Sequence, residues 1–195
     1  MQLRSGHVQL AASALAVLCL LADLRTVQAG ALALAGGIAL VQWVSWKPWA
    51  VLRKPILWIL YAGYGALAAG LLLAAAEAAG IGARAALHVH VIAMGGFSVL
   101  IIGMITRTAL GHLGRPLETD RSMVTAYVLV IVATVLRLCA LHPSAASPHL
   151  LHLAATAWVA AFALYLWRFL PMMIRPRADR TAPPATPVSI TRRGK

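Results

Sequence analysis

Histidines are the side chains of this sequence best suited to chemistry, and it has seven of them. Neutral imidazole ligates haem iron and copper, and a polar side chain inside lipid marks a functional position by default. His88 and His90 open one apolar run, His142 lies in a later link, and His149 and His152 open the last run. His149 and His152 are three apart and share a helix face, whereas His88 and His90 are ~200° apart, so only one of that pair faces a given partner. His90 and His152 each lie ~8 Å inside a span. The spacing therefore allows His90 to meet His152, or His149, across one metal or haem iron, with His88 as a further candidate metal ligand. The plainer reading is that these rings hydrogen-bond water or a carbonyl near the headgroups. His90 and His112 are separated by ~24 Å or more along a helix and cannot share a centre.

Arg107 and Arg115 flank His112 in Thr106-Arg107-Thr108-Ala109-Leu110-Gly111-His112-Leu113-Gly114-Arg115-Pro116-Leu117. Two arginines around a histidine suit an acidic headgroup or a haem propionate, although a basic link with turn residues serves topology alone. Arg137 has the same two readings, anion binding or snorkelling to the interface. Cys19 and Cys139 have no CxxC spacing and read as small packing residues. Nucleotide loops, HExxH and a Ser/His/Asp arrangement are absent, and five acidic residues leave little material for acid–base hydrolysis.

The elements that must position these residues are set by lipid. Hydrophobic residues make up 61% of the 195 and charged residues 11%, against ~45–50% and ~25% in soluble domains. Apolar runs near 8–24, 30–46, 56–76, 85–105, 122–140 and 150–170 predict an all-α integral membrane bundle of about six helices over 1–174. The first two are short. Met1 to Arg4, Leu10 to Ala22 and Val27-Gln28-Ala29 also fit the three regions of a cleaved signal peptide, and removing that span leaves the other orientations unchanged. With the N-terminus inside, fourteen of the seventeen Lys and Arg share the cytoplasmic face and only Arg25, Arg84 and Arg137 fall near the other, which predicts both termini cytoplasmic. Trp43, Trp46, Trp49, Trp58 and Trp167 read as an aromatic belt on the cytoplasmic side. Gly63, Gly65, Gly70, Gly95, Gly96 and Gly103 read as close-packing positions. Residues 175–195, basic and Pro-rich, read as a disordered cytoplasmic tail. The net charge of +12 belongs to topology and membrane lipid contact, and nucleic acid is not an expected partner.

The run His90-Val91-Ile92-Ala93-Met94-Gly95-Gly96, through Gly103-Met104-Ile105-Thr106-Arg107 to Ala109-Leu110-Gly111-His112-Leu113-Gly114-Arg115-Pro116-Leu117, resembles the signature of the NnrS family. There a histidine, a glycine five residues on, a small-residue helix, a Thr-Arg pair and Gly-His-x-Gly-Arg-Pro recur in this order. Weaker similarity covers Pro55 to Leu73, Arg137, and Arg168 through Pro176. The resemblance implies a bacterial inner-membrane protein that contains haem b and copper and is linked to nitric oxide and nitrosative stress. It carries over to His90, Gly95, Arg107, His112, Gly114 and Arg115. Family members have about twelve helices, and this chain resembles their C-terminal half. The resemblance therefore implies a truncated product, a partner chain, or a homo-oligomer that supplies the rest. The alternatives are a transporter or permease subunit, a six-helix b-type cytochrome and a purely structural subunit.

Overall fold

The computed structural model describes residues 2–81 and 86–175, so the tail expected beyond residue 175 lies outside the described residues. Six helices follow in chain order: α1 Gln2–Leu21, α2 Arg25–Ser45, α3 Pro55–Ala78, α4 Leu87–His112, α5 Arg121–Cys139 and α6 Ser147–Met173. No strand occurs among the described residues. Helices α2 to α6 are long and apolar enough to cross a membrane, and the apolar part of α1, Gly6–Leu21, is shorter. The all-α membrane bundle expected from the apolar runs is thus the fold.

Local chemistry sets the helix ends. Pro55 and Pro148 occupy first-turn positions of α3 and α6, where a missing N–H costs nothing. Helix α3 closes at Gly80 (φ 76°) with Ile81 N–H donating to Ala76 O, and α4 closes at Gly114 (φ 64°) with Arg115 N–H donating to Leu110 O. Both turns need a left-handed residue, which glycine adopts without steric cost. Asp23 (φ 53°) closes α1 in the same way, and its carboxylate pairs with Arg25.

Helix α4 differs most from the expected span, running to His112 instead of 105. Hydropathy falls at Thr106, but the helix continues: Thr106 is buried, and its hydroxyl is satisfied within the helix by donating to Ile102 O at 2.7 Å. The stop comes only at Gly114. Arg107 and His112 therefore ride on the helix and are not part of a link. Residues Val91–Ser98 of α4 are wound as a π-helix. Gly95 and Gly96 put no side chain in the way of the wider turn, Ser98 donates to Ala93 O five residues back, and Trp158 on α6 donates to Ser98 Oγ at 3.3 Å. Segments of this kind are rare and cluster at functional sites.

Helices α3 to α6 form a four-helix core. Ile59, Ile102, Tyr127, Val130 and Ala161 meet at one level, and Ile56, Leu110, Met123 and Phe169 at another. The α1–α2 hairpin packs outside this core, against α3. Gln9 donates to the Tyr64 hydroxyl, which donates to Gln42 at 2.6 Å, and Trp43 Nε1 donates to Tyr61 O at 2.8 Å. Trp46, Trp49 and Trp167 are exposed, as a belt requires. Trp58 is half-buried and lies edge-on to the buried Tyr127, with ring centroids 6.1 Å apart. Large apolar side chains remain exposed along every helix, the pattern of a lipid-facing surface. Cys19 is buried and Cys139 exposed.

Asp120 caps α5, accepting from Met123 N–H at 3.0 Å and from Ser122, and it pairs with Arg168 of α6 at 2.5 Å. Partial burial pushes its carboxyl up, but the Ser122 hydroxyl, the Met123 N–H and the Arg168 guanidinium outweigh that and hold it below 3.8. The carboxylate therefore stabilises the fold above the ordinary aspartate range, and protonation removes this as pH falls through the lowered value. Asp120→Ala is expected to cost ~1 kcal/mol as a lost cap, read as a lower unfolding temperature in detergent. The difference from wild type should disappear in strong acid, and a difference independent of pH would contradict this role.

Candidate histidine and arginine sites

Short links between consecutive helices make neighbours antiparallel, so the starts of α2, α4 and α6 and the ends of α1, α3 and α5 share one end of the bundle. That end carries His88, His90, Arg137, His142, His149 and His152.

His90 sits at the last residue of α4's opening turn, half-buried, with Nδ1 2.8 Å from Ala86 O. A carbonyl only accepts, so Nδ1 carries the proton and Nε2 of the neutral ring keeps its lone pair. Ala86 adopts a left-handed conformation (φ 68°), a strained geometry for a residue with a Cβ. The ring is thus oriented by its own backbone in the way ligating histidines are.

His88 is held differently. Its Nδ1 lies 2.5 Å from Glu77 Oε2 at the end of α3, and both residues are half-buried. Glu77, Asp23, Arg25, Gln28 and His88 line a polar cavity of about 260 Å³. Reasoning from the histidines missed Glu77. The available signal was a lone carboxylate at the end of an apolar run, which lipid tolerates only with a partner.

His149 and His152 are exposed. The buried position of α6 at this level is Ala154, two residues and ~200° from His152, which turns that side chain outward. The opening turn of α4 packs against α3 and α5. Among the described residues no group of three or more His, Cys, Asp or Glu comes together.

At the opposite end, Arg107 and His112 are both exposed and, five residues apart, point ~140° from each other. His112 rims an apolar cleft of about 400 Å³ with Met104, Ile105, Tyr165 and Met173. Arg115, half-buried, lines a separate cavity of about 240 Å³ with Glu118, Asp120 and Arg168. His112 and Arg115 therefore line different cavities, and Arg107 lines neither of them.

These features define a multi-pass helical membrane protein with an oriented histidine beside a π-helical turn. Residues 2–177 match the family model described as NnrS protein, and the chain belongs to the NnrS family. No curated protein and no solved structure matches it.

Proposed function

We propose that this chain binds haem b through His90 and acts in the bacterial inner membrane in the response to nitric oxide, protecting against nitrosative stress. The observation that carries the reading is the His90 ring, with Nδ1 committed to Ala86 O and Nε2 free, half-buried one turn inside α4. An imidazole nitrogen is a donor that would hold haem iron, so His90 fits that group. Bound haem supplies an iron able to take a diatomic ligand. The chain's own part is to fix the imidazole, to keep the surroundings apolar and to place cations for acidic groups. Arg107 and Arg115, at the other end, suit the acidic headgroups of anionic lipid.

Copper fits less well. The described residues bring His88 and Glu77 together but assemble no group of three or more such donors, so a copper site built here would need further donors from a partner chain or a second copy. His149 and His152, exposed on α6, are positioned to meet such a chain. The segregation of fourteen of seventeen basic residues supports both termini being cytoplasmic.

The test is growth under a nitric oxide donor, comparing cells that make the chain, cells that lack it and cells that make the His90→Ala variant. Tolerance should follow the wild-type chain and be lost in the variant at equal membrane abundance. Equal tolerance in all three would overturn the reading.

A further inference from the structure

Helix α5 ends with a cation that has no counter-charge among the described residues. Arg137 is half-buried in the last turn of α5, and among the described residues it makes no ion pair or hydrogen bond. The acidic side chains of the described residues are engaged elsewhere: Asp23 with Arg25, Glu77 with His88 and Asp120 with Arg168, while Glu118 lines the cavity at the opposite end. Arg137 instead borders an apolar cleft of about 360 Å³ between α4, α5 and α6. Met94 of the π-helical segment and Leu151, Trp158 and Val159 of α6 form its walls, and the small Ala154 and Ala155 leave its space open. From Leu151 to Val159 the cleft runs ~12 Å along α6, in the direction of a lipid chain.

We propose that this cleft is a binding site for an anionic phospholipid, whose headgroup phosphate pairs with Arg137 and whose acyl chain lies along Met94, Trp158 and Val159. A guanidinium beside apolar walls at an interfacial level needs an anion, and its planar fork matches a phosphate. The apolar walls offer a free phosphate no partner besides Arg137, whereas they match an acyl chain. Trp158, which lines the cleft, also donates to Ser98. An occupant therefore braces the π-helical segment that follows His90.

The test is native mass spectrometry of the full chain released from bilayers of phosphatidylglycerol and phosphatidylcholine in equal amounts. One near-surface arginine favours the anionic lipid about fivefold, so wild type should retain phosphatidylglycerol by that ratio. Arg137→Gln should bring the ratio to about one, Arg137→Lys should keep part of it, and Ala155→Trp, which fills the cleft, should lower retention of both lipids. Added inorganic phosphate should not displace the lipid. The proposal is overturned if wild type shows no preference, if Arg137→Gln keeps it, or if Ala155→Trp retains lipid as wild type does. Loss of haem in Arg137→Gln with the lipid ratio unchanged would also overturn it and assign the arginine to the cofactor.

Discussion

Gly63→Leu is expected to abolish the native bundle. A Cβ at Gly63 would stand 2.7 Å from Leu100 Cγ and 2.9 Å from the backbone N of Leu100. The first neighbour could swing aside, but the second is main chain within α4 and can move only if the helices separate. Gly103 closes the same interface from the other side, where a Cβ would meet Ile59 and Leu60 at 2.8 Å. Overpacking of this kind costs ~1–3 kcal/mol for a single added methyl and more for a full side chain. Gly63→Ala should therefore lower the unfolding temperature, and Gly63→Leu should leave no monodisperse species in size-exclusion chromatography. Gly37 is the control, because nothing lies within 4 Å of the Cβ it would gain. A folded Gly63→Leu protein with wild-type stability would show that α3 and α4 do not pack as described.

The second large effect is chemical. His90→Ala should remove haem, lowering the haem-to-protein ratio of the purified chain at least tenfold, while the helix content stays unchanged. The substitution deletes one half-buried ring whose only intramolecular hydrogen bond is to Ala86 O, and it touches neither core level. His149→Ala and His152→Ala should leave haem content near wild type in the isolated chain, since both side chains are exposed on α6. If His152→Ala lost as much haem as His90→Ala, the two residues would act on one iron and the outward placement of His152 would be wrong.

Much of the fold was legible because lipid imposes a one-dimensional rule: an apolar run of sufficient length becomes a spanning helix. The six runs map onto six helices in order, and the glycines of α3 and α4 lie where the backbones approach. Helix ends were less legible. Hydropathy reports the lipid boundary, whereas the end of α4 is fixed by the left-handed turn at Gly114, two residues past His112. The π-helical winding of Val91–Ser98 left no mark in periodicity, since Gly95 and Gly96 merely permit it and the tie from Trp158 comes from a helix sixty residues on.

The site divided in the same way. Spacing along one helix correctly separated His88 from His90, and the structure gives them different partners, Glu77 and Ala86. Pairing between helices was not legible, because it depends on how each helix is rotated about its axis. Ala154 faces inward on α6, and this turns His149 and His152 outward. The same dependence explains why Arg107, His112 and Arg115, within nine residues of one another in sequence, do not share a cavity.

The central claim, that this chain alone holds a haem able to bind a diatomic ligand, is tested most directly by optical spectra of the detergent-purified full chain, oxidised and reduced, with and without nitric oxide, alongside metal analysis. The account predicts a Soret band that shifts when nitric oxide is added to the reduced protein, with iron present in proportion to chain. A colourless, iron-free preparation that gains no Soret band when haem is supplied would contradict it.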